Sequence, residues 1–126
     1  MVESFGPDVK GSCMGLIFWI DENTFATSLA ERALTGQGVD FYTVNSAKDF
    51  AYLIVDLKPQ TIVIESHTVL KELALFREQY EATQKFFGAK IVLINPLAEL
   101  SFLENTAGTL NVPFNPFTLK EFFSNI

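Results

Sequence analysis

Residues that carry catalytic or metal chemistry are scarce in this sequence. Cys13 is the single cysteine, which excludes an internal disulfide and a zinc site built from several thiolates. His67 is the single histidine. It could join Glu65 on a transition metal, but a solvated loop histidine is the favoured interpretation. The sequence has no Ser-His-Asp set, glycine-rich phosphate loop or HExxH helix, so we expect a protein that is not an enzyme.

Basic residues are also few. Nine Lys and Arg stand against 15 Asp and Glu, which gives a formal net charge of -6 at pH 7. This balance argues against direct binding of nucleic acid, because phosphate binding needs a basic face. No apolar run reaches the ~20 residues of a membrane-spanning helix, and residues 1–14 lack the apolar core of a secretory signal. The expected location is the cytoplasm, without membrane association.

Apolar side chains, in contrast, are abundant. Hydrophobic residues make up 48% of the 126 residues, and the chain has 13 Phe. A chain of this size is one domain that can bury a real core. Glycine, proline and charge interrupt residues 1–14, so we predict a flexible N-terminal extension there and one domain over residues 15–126. The last helical pattern runs to Ile126 without a stop signal, which would suit a domain of a longer protein followed by an output module.

Hydrophobic periodicity divides the predicted domain into alternating strands and helices. Five short apolar runs are predicted strands: 16–20, 39–44, 61–64, 91–94 and 110–112. Of the helices between them, the third is predicted to run unbroken over residues 68–87 and the fourth to be short, around Leu100. Capping boxes are predicted at residues 46–49 and 118–121. This alternation predicts an α/β fold with a flavodoxin-like, doubly wound five-stranded parallel sheet, order 2-1-3-4-5, and helices on both faces.

Polar residues follow four of these apolar runs. They are Asp21, Glu22, Glu65, Asn95 and Asn115. The carboxyl ends of parallel strands share one edge of the sheet, and ligands bind at that edge. We therefore expect these five side chains to meet in one pocket.

In order and spacing, these segments resemble the receiver domain of bacterial response regulators along nearly the whole chain. In that family the first strand ends in an acidic pair that holds magnesium, and Asp21 and Glu22 match it. The third strand of a phosphorylatable receiver ends in the aspartate that accepts the phosphoryl group, and here the matching residue is Glu65. The resemblance thus keeps the acidic pair and alters the acceptor.

Two further positions of the resembled family are replaced. A Thr or Ser that senses phosphate corresponds to Asn95, and the lysine of a Lys-Pro-Phe segment corresponds to Asn115, which precedes Pro116 and Phe117. The family usually has a cis bond before this proline, so we expect Asn115-Pro116 to be cis. Three replaced residues imply a degenerate member, a pseudo-receiver.

Ordinary phosphorylation is not expected from such a pocket. The extra methylene of Glu65 displaces the reacting oxygen by more than ~1 Å, which can cost about 100-fold in rate. Glu65 could instead mimic a phosphorylated residue, although drift after the loss of phosphorylation is the favoured explanation. The carboxylates of Asp21, Glu22 and Glu65 could still bind Mg²⁺, but the favoured alternative is that Glu65 points out of the pocket and all three are solvated.

Recognition is the function that remains. In receivers the face made by the fourth helix, fifth strand and fifth helix commonly contacts partners or a second copy. Here that face carries five phenylalanines: Phe102, Phe114, Phe117, Phe122 and Phe123. The last two are adjacent on a helix and cannot both point inward, so one of them either forms an exposed contact surface or lies against a neighbouring loop.

We interpret the chain as a phosphorylation-independent pseudo-receiver that acts in signal transduction or regulation through contacts with a partner protein, a fused output domain or a second copy. One alternative is a two-component receiver that enters a phosphorelay through an atypical acceptor site. Another is a small-ligand-sensing pseudo-receiver.

Overall fold

A single parallel sheet forms the centre of the molecule. The computed structural model describes residues 15–35 and 38–126, and the predicted extension over residues 1–14 lies outside these ranges. The strands are β1 (Leu16–Ile20), β2 (Asp40–Val44), β3 (Thr61–Glu65), β4 (Lys90–Ile94) and β5 (Thr106–Leu110). Their order is β2-β1-β3-β4-β5 and every neighbouring pair is parallel, which confirms the predicted flavodoxin-like sheet.

Helices cover both faces of this sheet, as expected for right-handed crossovers between parallel strands. They are α1 (Thr24–Leu34), α2 (Ala47–Leu57), α3 (Ser66–Leu70), α4 (Leu73–Ala82), α5 (Gln84–Phe87), a 3-10 turn (Ala98–Leu100) and α6 (Leu119–Ser124). Helices α1 and α6 pack on one face around the buried Trp19, and α2 to α5 pack on the other around Phe50. The Ser46 half of the capping box predicted at residues 46–49 is confirmed, since the Ser46 side chain accepts a hydrogen bond from the Asp49 amide.

The single helix predicted over residues 68–87 is wrong. The segment is divided into α3, α4 and α5, and all four residues of α5 have φ angles between 52° and 59°, in the left-handed region. Such a turn costs roughly 1–2 kcal/mol per residue for side chains other than glycine. It places Phe86 in the core, with its ring centroid 4.9 Å from that of Tyr80 and 5.0 Å from that of Phe50. Tertiary packing therefore overrides the local helical pattern.

The C-terminal part of the chain also differs from the prediction. Strand β5 ends at Leu110 rather than occupying residues 110–112, and the short fourth helix is only a 3-10 turn. Thr118 precedes α6 but its hydroxyl donates to the Asn115 carbonyl, so the predicted capping box at residues 118–121 does not form. The cis peptide bond of the described residues is Val112-Pro113, and the expectation of a cis bond at Asn115-Pro116 is wrong. In the described ranges, no helix is long and apolar enough to cross a membrane.

Candidate functional site

The carboxyl ends of β1, β3 and β4 converge on a cavity of about 210 Å³. Four of the five predicted pocket residues line it: Asp21, Glu22, Glu65 and Asn95. The fifth, Asn115, lies outside it and lines a separate cavity beside α6. Val112 occupies the wall of the shared cavity on the side of the β5 loop.

Glu65 is the most heavily bonded residue of the cavity. Its Oε1 accepts hydrogen bonds from the Thr68 amide at 2.8 Å and the Thr68 hydroxyl at 2.7 Å. Its Oε2 accepts from the His67 amide and from Asn95 Nδ2, each at 3.1 Å, and lies 3.0 Å from His67 Nδ1. The side chain thus turns back to cap the start of α3 instead of reaching into the cavity. Both carboxylate oxygens are engaged by the protein.

These bonds set the charge state of Glu65. Burial alone would raise the pKa of this carboxyl, but the hydrogen bonds from Thr68, Asn95 and His67 outweigh it and lower the pKa to about 2. Asn95 reaches Glu65 from a left-handed backbone conformation with φ of 56°, which asparagine tolerates better than most residues. Glu65 is therefore a fixed negative charge at neutral pH.

Asp21 lies in a different environment although it shares the cavity. It is 3% exposed, and its carboxylate accepts from the Asn23 amide at 2.9 Å and, more weakly, from Trp19 Nε1 at 3.4 Å. Burial raises the pKa of Asp21, and repulsion from Glu65 and Glu22 adds to the increase. Among the residues that the structure describes, His67 is the one basic side chain that lines the cavity, and it lies against Glu65.

Glu22 is directed away from this pair. Its Oε1 lies 2.6 Å from Lys71 Nζ in an exposed ion pair, and its amide donates to the Thr68 hydroxyl at 3.1 Å. Thr68 consequently joins the end of β1 to the end of β3, because the same hydroxyl donates to Glu65. Sequence analysis missed Thr68 and Lys71, which carry no signal beyond their position after a strand end.

The mismatch at Asn115 has a simple origin in the sequence. The chain has two Pro-Phe segments three residues apart, Val112-Pro113-Phe114 and Asn115-Pro116-Phe117. Because β5 ends at Leu110, the first segment follows the strand closely and brings Val112 to the cavity. An apolar residue at this point gives no sequence signal of a polar site, so the polar Asn115 was predicted to line the pocket instead.

The residues present do not fit the magnesium ion that the resembled family would imply. A hard cation needs several free oxygen ligands, but Glu65 is fully hydrogen-bonded and Glu22 is paired with Lys71. Within residues 15–35 and 38–126, no group of three His, Cys, Asp or Glu side chains is placed to hold a metal ion. His67 was expected in a loop and instead lies in α3, with 57% of its side chain exposed.

The five phenylalanines of the predicted contact face do not form one surface. Phe102 packs against the core on one side of the sheet, whereas Phe114, Phe122 and Phe123 pack on the other. Phe123 is buried, and Phe122 is half-buried with its ring edge-on to that of Phe123, so the first of the two alternatives, an exposed contact surface formed by one of the pair, is not what the structure has. Phe117 alone of the five is fully open to solvent, with 92% of its surface exposed.

A second exposed phenylalanine lies on α1. Phe25 has 73% of its surface exposed. Leu29, one turn further along α1, lines one cavity with Phe25 and a neighbouring cavity with Phe117. An exposed apolar surface is therefore formed by α1 and the loop before α6.

Solved structures with the same architecture identify the fold. CheY4, a chemotaxis response regulator of Vibrio cholerae, aligns with a TM-score of 0.73 over 90% of this chain and 99% of its own, at 16% identity. The chain has the receiver-domain fold. A CheY-like receiver domain protein of Methanospirillum hungatei aligns with a TM-score of 0.68 over 89% of this chain and 92% of its own, at 15% identity.

A receiver-modulated diguanylate cyclase of Pelobacter carbinolicus aligns with a TM-score of 0.61 over 88% of this chain and 90% of the matched chain, at 17% identity. No protein-family model matches the sequence, and no curated protein matches it closely enough to count as a relative. The likeness to receiver domains is thus one of fold.

Proposed function

We propose that this chain is a pseudo-receiver, a receiver-like regulatory domain that works without phosphorylation and through contacts with other proteins. The observation that carries the proposal is the arrangement of Glu65, the residue at the acceptor position. Its two oxygens are held by the Thr68 amide and hydroxyl, the His67 amide and Asn95. To attack a phosphoryl donor, the carboxylate would have to give up these bonds and uncap α3.

The charges of the cavity also oppose an incoming phosphoryl group. Phosphoryl transfer needs cations to neutralise the charge that arrives on the transferred oxygens. The residue that reaches the cavity from the β5 loop is Val112, an apolar side chain, while Asp21 and Glu65 contribute negative charge. A phosphate group there would be repelled by these carboxylates, and His67, the basic side chain of the cavity, already lies against Glu65.

Contact with proteins is supported by the exposed aromatic surface. Phe25 and Phe117 are 73% and 92% exposed, and large aromatic side chains are enriched in protein interfaces. Phe117 lines an open groove of about 460 Å³ together with the apolar Leu29, Ala33 and Pro116 and the basic Arg32 and Lys120. A partner protein, a fused output domain or a second copy could bury this surface. The matched structures from Pelobacter carbinolicus and from the hybrid histidine kinase CckA come from proteins that combine a receiver with other domains.

In this proposal the domain itself catalyses no reaction, and its output resides in the protein it contacts. The alternative of an atypical phosphorylated receiver would require Glu65 to leave its hydrogen bonds or another carboxylate to accept the phosphoryl group. Asp21 is the candidate for that role, since it lines the same cavity and its carboxylate has fewer donors.

The test is incubation of the purified chain with acetyl phosphate and Mg²⁺, followed by intact mass measurement under non-acidic conditions. The expected result is an unchanged mass, while a phosphorylatable receiver treated in parallel gains a phosphoryl group. A phosphoryl adduct that disappears in Asp21→Asn or Glu65→Gln would contradict the proposal and name the acceptor.

A further inference from the structure

A second cavity opens at the same edge of the sheet, on the opposite side of Asp21 from Glu65. It measures about 300 Å³ and lies between the carboxyl ends of β1 and β2, where α1 and α2 begin. This volume is at the lower end of the range found for small-molecule sites. Among residues 15–35 and 38–126, only Asp21 lines both this cavity and the one containing Glu65.

The polar groups of this second cavity select the charge of a ligand. Asp21 and Asp49 line it, and none of the described residues in its wall is Lys, Arg or His. Asp21 is 3% exposed, and its hydrogen-bond donors are the Asn23 amide and the Trp19 indole, which are both neutral. A buried carboxylate without a cation beside it is costly, so a positively charged ligand would be stabilised here and an anion would be repelled.

Aromatic rings complete the wall. Tyr42 and Tyr52 both line the cavity, and they remain 41% and 82% exposed. The Tyr42 ring is held by an edge-on contact with Phe18, with 5.7 Å between the ring centroids. Exposed aromatic faces next to carboxylates are the surroundings in which proteins bind organic cations, because the ring face attracts positive charge.

We propose that this cavity binds a small organic ammonium ion, such as an aliphatic diamine. The buried Asp21 carboxylate would pair with one ammonium group, and Asp49 with the two tyrosines would hold the rest of the molecule at the mouth. Threonine hydroxyls and the Asn45 side chain can accept the remaining N–H donors. A bare metal ion fits less well, since the described residues offer no cluster of three metal-ligating side chains.

This site goes beyond the proposed function, because the loss of phosphorylation at Glu65 does not depend on it. Binding of a ligand beside Asp21 would give the domain a chemical input in place of phosphate. The two proposals can therefore fail independently. The mass measurement tests whether Glu65 is phosphorylated, and a binding measurement tests whether the second cavity takes a ligand.

The experiment is isothermal titration of the chain with 1,4-diaminobutane, with 1,4-butanediol as the uncharged ligand of similar shape. We expect heat of binding with the diamine and none with the diol. Asp49→Asn and Tyr52→Leu should each weaken binding of the diamine by about fivefold. Asp56→Asn is the matched control, since Asp56 is an exposed acid on the same helix that does not line the cavity.

Both changed side chains are exposed, so thermal melting should show that the variants remain folded. Absence of heat with the diamine would overturn the proposal. Equal weakening by Asp49→Asn and Asp56→Asn would overturn it as well, because it would show attraction to net charge alone. Equal binding of the diol would replace an ammonium site by a site for neutral polyols.

Discussion

Glu65→Gln removes the charge of the acceptor-position side chain and keeps its shape. In the folded protein the pKa of Glu65 is lowered from 4.5 to about 2, chiefly because the hydrogen bonds to its carboxylate outweigh the effect of burial. A depression of that size corresponds to about 3 kcal/mol. Because His67 is exposed, solvent screens part of its interaction with Glu65. We therefore expect Glu65→Gln to lower the free energy of unfolding at pH 7 by about 2–3 kcal/mol.

The pH dependence of this loss follows from the direction of the pKa change. Because the folded pKa lies below the unfolded one, the stabilising contribution of Glu65 is complete above 4.5 and disappears as the pH falls toward 2. The difference between the wild type and Glu65→Gln should therefore be largest at pH 7 and shrink progressively below about pH 4.5. Urea unfolding followed by circular dichroism at several pH values measures it.

The matched control is Glu78→Gln, on the exposed side of α4. It removes the same charge and should change the free energy of unfolding by less than ~0.5 kcal/mol at each pH. If Glu65→Gln were as stable as the wild type at pH 7, or if the difference between them did not vary with pH, the cap formed by Glu65 would not exist as described.

Further substitutions test three other parts of the structure. Asp21→Asn should raise the free energy of unfolding at pH 7, because burial raises the pKa of Asp21 and the ionised carboxylate therefore opposes folding. That gain should vanish below about pH 4 in urea titrations. Phe117→Glu changes an exposed side chain, so it should alter the melting temperature very little and should reduce any self-association seen by sedimentation. Phe123→Ala changes a core side chain and should lower the free energy of unfolding by about 3–5 kcal/mol. Gln84→Gly should leave the free energy of unfolding unchanged or raise it by up to about 1 kcal/mol, because glycine adopts the left-handed conformation without strain. Gln79→Gly, within α4, should lower the free energy of unfolding by about 1 kcal/mol. An equal loss of stability at the two positions would refute the left-handed turn.

The central strands were predictable because burial leaves a clear pattern in the sequence. Strand β3 is buried at every position, and residues 17–20 of β1 are fully buried, so their apolar runs have few alternative interpretations. Strand β5 is different, since Thr106–Leu110 is mostly exposed and contains Gly108. A half-covered edge strand with threonine and glycine carries little periodic signal, and its prediction was displaced toward Leu110.

The site could be predicted only where polar side chains follow strands. Asp21, Glu65 and Asn95 were placed correctly at the shared edge because parallel strands end together. The sequence does not reveal which way Glu65 turns, since that depends on the position of Asn95 and on the start of α3. Val112 was missed because an apolar residue at a pocket wall resembles any other loop residue.

The amide spectrum of the folded protein tests the central claim most directly. In ¹H–¹⁵N NMR, the amides of His67 and Thr68 report on Glu65, because both donate hydrogen bonds to its carboxylate. The spectrum should be compared before and after addition of Mg²⁺ with beryllium fluoride, an analogue of a bound phosphoryl group. Our account predicts that these two amides and the Asn95 side-chain amide keep their positions. Saturable shifts centred on these groups would show that Glu65 can still complete a phosphoryl site, and would contradict the account.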